Sequence, residues 1–311
     1  MPKMKKPIGS TLFALTAFII FSGVFVGWKS ALAITFIQRD DSRLIDAYGD
    51  FKAFDENSRS IKIWFPEKSG LVPVIIYAHG GRGFGPSGRI VLGRFRREGF
   101  ATIGFDAFRL NGLNRKWVWQ NLSNESKQEM ISKVLDGAYA YANARIGIKF
   151  SKIFFYGLSN GARSVLRANE KPERYPSLSG IISEGTARNN DIALKDCNFP
   201  TLFLFGEKDN AAGARYGNEI IYSAIRSSLL INGEPSSLQH WVNFNKDRGC
   251  NFRINVYQNS GHDLFSGLLR VKVEQRGLDR FVGSGATPQD HIILKEKIFT
   301  DIFQFFTSQL N

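Results

Sequence analysis

The chain has 311 residues, of which 43% are hydrophobic, 22% are charged and 27 are Phe; this supplies a large core and excludes a disordered or fibrous protein. The formal net charge is +13, but the first 33 residues hold four lysines and no acid, so +9 remains for residues 34–311. The densest basic group, Arg94, Arg96, Arg97, Arg115 and Lys116, accompanies no nucleic-acid motif and reads as a solvated helix face, so no nucleic-acid partner is expected.

In chain order, Lys3, Lys5 and Lys6 precede an uncharged stretch from Ile8 to Trp28, and Ser30-Ala31-Leu32-Ala33 follows. A basic start, an apolar middle and an A-x-A ending predict a secretory signal cleaved after Ala33. The alternative is an uncleaved membrane anchor, because 21 helical residues at about 1.5 Å each reach roughly 32 Å, enough for a hydrocarbon core of about 30 Å. Either reading puts residues 34–311 outside the cytoplasm, periplasmic, extracellular or tethered to the membrane.

Residues 49–66 predict a hairpin turning at Asp55 to Ser58. Apolar runs at 72–78, 101–105, 152–156, 180–183, 201–205 and 252–257 then alternate with helix-like stretches at 88–98, 126–146, 160–169, 211–232 and 288–309. Continuous apolar runs suit strands covered on both faces, so the expected class is α/β: one domain with a mostly parallel sheet, an antiparallel start and helices on both sides. Two stretches carry no clear element, Ala107 to Ser126 with Trp117 and Trp119, and Gly233 to Gly249 with Trp241; they are candidate pocket walls. Cys197 and Cys250 each precede a predicted strand and, in an exported protein, are candidates for a disulfide if those strands are neighbours. Four scattered histidines and no paired cysteines give no metal-binding pattern, and no cofactor is expected.

The chemistry concentrates at IFFYGLSNGARS, residues 153–164, where Gly157-Leu158-Ser159-Asn160-Gly161 forms G-x-S-x-G between a strand and a helix. A serine hydroxyl needs a base, and the base needs an acid to orient it. Ligands of open α/β sheets sit at the carboxyl ends of strands, which is where Asp209 and His262 fall. The order Ser159, Asp209, His262 fits a serine hydrolase; Glu184, directly after the run at 180–183, is the alternative acid. The oxyanion donors expected are the backbone N–H of Asn160 and one from His79-Gly80-Gly81-Arg82-Gly83, either Gly81 or Arg82, with His79 as a loop brace.

These stretches, with GFATIGFDAFRLNG, DGAYAYANARIGIKFSKIFFYGLSNGA, TLFLFGEKDN and NSGHDLF, resemble the α/β-hydrolase superfamily and, within it, the dienelactone hydrolase family, from about Ile61 to the C-terminus. The resemblance implies that fold and an esterase acting on a small ester or lactone. The departure is the nucleophile: the name-giving enzymes use cysteine, and Ser159 stands here. A peptidase or amidase would need the same triad. Gly83-Phe84-Gly85-Pro86-Ser87-Gly88 formally matches a dinucleotide-binding fingerprint with Asp106 on the next strand, an oxidoreductase alternative, although His79 to Arg82 intervene and Pro86 lacks an amide. A non-catalytic binding protein that keeps the fold is the third alternative.

Overall fold

Residues buried on both sides dictate the sheet. The computed structural model describes residues 58–67, 70–186, 197–206, 230–231, 234–235, 238–258, 260–265, 268–272, 279–283 and 288–310, all within the unit Phe51–Asn311. The strands are β1 (Ile61–Trp64), β2 (Val72–Ala78), β3 (Ala101–Phe105), β4 (Phe150–Leu158), β5 (Leu178–Glu184), β6 (Thr201–Gly206), the short pair β7 (Leu230–Ile231) and β8 (Glu234–Pro235), β9 (Phe252–Tyr257), and the pair β10 (Leu268–Lys272) and β11 (Asp279–Gly283). Among the described residues, seven of them form one sheet in the order β1-β3-β2-β4-β5-β6-β9. All its pairings are parallel except that of β1 with β3, where Ile61 faces Phe105 and Trp64 faces Thr102.

The expected antiparallel start is therefore β1, hydrogen-bonded to β3. The other arm of the expected hairpin and the leader at 1–33 lie outside the described residues. No helix among the described residues is long and apolar enough to cross a membrane.

The helices are α1 (Pro86–Arg97), α2 (Ala107–Leu110), α3 (Arg115–Asn121), α4 (Asn124–Asn143), α5 (Asn160–Leu166), α6 (Leu238–Asp247) and α7 (Pro288–Leu310). Alternate strand residues divide between two faces. Ile75, Tyr77, Phe154, Tyr156, Leu202 and Leu204 pack with Val91, Leu92 and Phe95 of α1 and with Ile298, Phe299, Ile302, Phe305 and Phe306 of α7. On the other face Phe155 meets Tyr139 of α4, and α5 packs against β4, β5 and α4.

The stretch 107–126, without a clear element in the sequence, is helical because side chains cap it three times: Asp106 accepts from Arg109 N–H, Asn114 from Trp117 N–H and Ser123 from Ser126 N–H. Likewise 238–247 within the second unassigned stretch is α6. The expected helix at 211–232 lies largely outside the described residues, and its end, Leu230–Ile231, is the short strand β7. Of the basic cluster, Arg94 pairs with Glu98 and Glu296, Arg96 donates to Thr102 Oγ1 at 3.0 Å, and Arg115 lies against Asp106 at 3.6 Å.

Candidate active site

The run that ends β4 turns into α5 through Ser159, whose backbone has φ 57° and ψ −112°, the one positive φ outside glycine among the described residues. A side-chain-bearing residue there costs on the order of 1–3 kcal/mol, which persists only where the surroundings enforce it. The glycines of the motif are what allow the enforcement. A Cβ on Gly157 would lie 2.3 Å from Gly161 O, and one on Gly161 would lie 2.2 Å from Ala78 O, so strand, turn and helix close only without those side chains. Ser159 N–H donates to Glu184 O at 2.9 Å, which pins the turn to the end of β5.

Asn160 opens α5, and the first amides of a helix have no intrahelical acceptor. Its side chain is held by Gln128 Nε2 at 3.3 Å and reaches Asn124 Oδ1 at 3.4 Å. The loop after β2 runs directly beside this turn. Gly83 N–H closes it onto Gly80 O at 3.0 Å; a Cβ on Gly80 would stand 3.3 Å from Ser159 Cβ, and one on Gly81 would stand 2.8 Å from Asn160 Nδ2. Arg82 lies over the ring of Trp119 at 5.5 Å, and Lys127 Nζ lies 5.1 Å from the same ring. Burial lowers the pKa of both cations.

His79 braces that loop. Ala107 N–H donates to its Nε2 at 2.9 Å, so Nδ1 carries the proton and donates to Gly80 O at 2.7 Å. Burial pushes the imidazole pKa down, which keeps it neutral.

His262 comes from the segment after β9 and lies over the end of β5. Gly185, with φ +57°, sits beneath it: a Cβ there would be 3.0 Å from His262 Nδ1 and 2.7 Å from its carbonyl oxygen. Gly206, the last residue of β6, meets the same segment, since its Cβ would fall 2.1 Å from Gly261 O. Asp263 then ties the segment down, accepting from Ser87 Oγ on α1 and from Phe265 N–H at 3.2 Å. Ser159 and His262 thus occupy the ends of adjacent strands, β4 and β5.

Glu184 is fully buried, and both of its carboxyl oxygens are engaged: Oε1 accepts from Leu264 N–H at 2.8 Å and Oε2 from Tyr156 Oη at 2.6 Å. Burial, with the charge of Asp263 added, raises its pKa to about 8 against the opposing effects of Tyr156, Leu264 N–H and His262. Burial and the Glu184 charge also push the Tyr156 and Tyr77 hydroxyls up. Asp209 lies outside the described residues.

The mostly parallel sheet with one antiparallel edge has solved counterparts. A structure named m3DLH matches at 12% identity and a TM-score of 0.50, over 80% of this chain and 99% of that one. The chain has the α/β-hydrolase fold. Two further solved structures match it less closely in shape. The dienelactone hydrolase-like promiscuous phosphotriesterase P91 from metagenomic libraries has 12% identity and a TM-score of 0.49, over 80% and 92% of the two chains. Dienelactone hydrolase from Anabaena variabilis has 18% identity and a TM-score of 0.42, over 65% and 81%. No family model and no curated protein matches the chain.

In this α/β-hydrolase fold the glycine-rich run 83–88 serves packing. A Cβ on Gly83 would lie 3.0 Å from Asp106 Oδ2, and one on Gly88 2.8 Å from the rings of Phe84 and Tyr77. Asp106, the candidate ribose-binding acid of the oxidoreductase alternative, turns inward to accept from Phe84 N–H at 3.3 Å and Arg109 N–H at 3.2 Å. Cys197 and Cys250 are joined, with Cα atoms 5.2 Å apart, at the ends of β6 and β9 opposite the serine.

Sequence patterns had no means of marking Tyr156, Ser87, Asp263 and Leu264 as supports of the His262 segment. The one signal was a hydroxyl inside the apolar run KIFFY, where a buried Tyr calls for a partner.

Proposed function

We propose that the protein is a serine hydrolase of the dienelactone hydrolase-like kind that cleaves a carboxylic ester or lactone through an acyl-enzyme. The observation that carries this reading is the Ser159 backbone: strain held in place by close-packed glycines, at strand ends onto which the loop after β2 and the His262 segment both fold.

In this reading His262 takes the Ser159 hydroxyl proton as Oγ attacks the carbonyl carbon, and Asp209 orients the imidazole and stabilises its charge. The tetrahedral oxyanion is held by the backbone N–H of Asn160 and by that of Gly81 or Arg82, each donor contributing about 3 kcal/mol. Collapse breaks the bond to the leaving alkoxide, which receives the proton from His262. Water, deprotonated by His262, then attacks the acyl carbon and releases the acid and Ser159. The residues needed are all side chains and amides of this chain. Residues 1–33 deliver or tether the domain outside the cytoplasm.

The test is hydrolysis of p-nitrophenyl acetate and longer acyl homologues, with fluorophosphonate labelling as an independent readout. The wild type turns over the ester and is labelled at Ser159. Ser159→Ala loses activity by at least about a thousandfold and is not labelled. A folded wild type that neither turns over nor reacts with the probe sinks the proposal.

A further inference from the structure

We propose that Glu184 is a positioning residue: its sealed carboxyl bridges the amide of Leu264 to the hydroxyl of Tyr156 and so fixes the backbone that presents His262 to Ser159. The inference rests on the hydrolase reading for its consequence in catalysis, while the bridge itself stands on geometry.

Three contacts converge on this one residue. Its main-chain oxygen takes the Ser159 N–H at 2.9 Å, its Oε1 takes the Leu264 N–H at 2.8 Å, and its Oε2 takes the Tyr156 hydroxyl at 2.6 Å. The neighbouring Gly185 lies against the imidazole of His262. One buried residue therefore joins the nucleophile turn, the strand that carries it and the segment that carries the base. The carboxyl bonds Tyr156 Oη and Leu264 N–H, one from the strand before the nucleophile and one from the segment after the base.

The groups facing the carboxyl are Tyr156 from β4, Tyr77 from β2, Tyr257 from β9, and His262 with Asp263 from the following segment. Tyr156 Oη donates to Oε2 and the Leu264 N–H donates to Oε1, while burial raises the carboxyl pKa to about 8, so the bridge takes up a proton below that pH. Above about pH 8 Glu184 ionises, and the Tyr156 hydroxyl and the Leu264 amide then donate to a full charge that also favours the imidazolium of His262.

The experiment compares wild type, Glu184→Gln and Glu184→Ala in the full-length protein. Glutamine keeps an acceptor for Leu264 and a donor for Tyr156, so Glu184→Gln should match wild-type kcat at pH 7 within about threefold. Wild-type kcat should rise several-fold through an inflection near pH 8 that is absent in Glu184→Gln. Glu184→Ala, which frees the Leu264 amide, should lose at least about tenfold in kcat with KM nearly unchanged. A loss of about a thousandfold or more in Glu184→Gln at every pH would make Glu184 the triad acid and overturn the proposal. A Glu184→Ala variant with wild-type kcat and KM would overturn it too.

The second readout needs no turnover. An NMR titration of the His262 ring, assigned with His262→Asn, should show a second step near pH 8 in wild type and none in Glu184→Gln. Absence of esterase activity in wild type with this difference intact would remove the hydrolase reading and keep the bridge; identical titrations in the two proteins, together with an unshifted Leu264 amide resonance in Glu184→Ala, would remove the bridge.

Discussion

Ser159 holds its half-buried position at the strand end with backbone strain that glycine would not feel. Ser159→Gly should therefore stabilise the fold by about 1 kcal/mol, after subtraction of the greater chain freedom of unfolded glycine, while abolishing turnover; a urea midpoint at or below that of wild type would refute the strain. Glu184 gives a second residue-scale expectation. Its ordinary value of 4.5 is raised to about 8 in the fold, so between these values the folded protein keeps a proton that the unfolded chain has released. This contribution to stability is complete below about pH 4.5 and is lost as pH rises through about 8. Urea unfolding at pH 5 and pH 8.5 should show wild type losing more stability over that interval than Glu184→Gln; equal losses would place the proton elsewhere. Ser159 was legible in the sequence because its constraint is local, two glycines within two residues. The partners of Glu184 were not, because Tyr156 and Leu264 meet it only when β4 pairs with β5 and the segment after β9 crosses back over the end of β5.

Elements whose information lies within their own residues were the easiest to read. β2 and β3 occur where their apolar runs predict them, since strands covered on both faces need no polar alternation, and the edge strand β9 also falls on its run although its middle is partly exposed. The helices of 107–121 escaped notice because they are short and owe their ends to Asp106 and Asn114, each of which also reads as a loop residue. Side-chain packing explains the long α7, whose aromatic face closes over α1. Phe95 touches Phe100, Tyr156, Phe299, Phe303 and Phe306, and it is fully buried. Phe95→Ala should cost about 3–5 kcal/mol, and because Tyr156 loses a neighbour, the Glu184 bridge should loosen with it. Denaturant unfolding measures the first effect, and the amplitude of the His262 titration step near pH 8 measures the second.

Across the whole molecule the strand order separates support from chemistry. The Cys197–Cys250 link sits before the first residues of β6 and β9, where Thr201 pairs with Phe252, whereas Gly206 at the far end meets the His262 segment. Six residues at about 3.3 Å each put roughly 20 Å between the two ends. Cys250 also packs with Phe203, Phe205 and Phe252, so the link is embedded in a small apolar cluster. Closing a loop over a separation of 53 residues is worth about 4 kcal/mol in the chain-entropy treatment, and the β6–β9 ladder already restrains part of that loop in the folded state only. The double variant Cys197→Ser/Cys250→Ser should therefore lose about 2–4 kcal/mol and lower the thermal midpoint by about 10 °C. At 25 °C its kcat should stay within about twofold of wild type, because the strands remain paired and the distant ends keep their places. A tenfold fall in kcat at that temperature, with the protein still folded by circular dichroism, would show that the cystine end governs the register on which His262 depends.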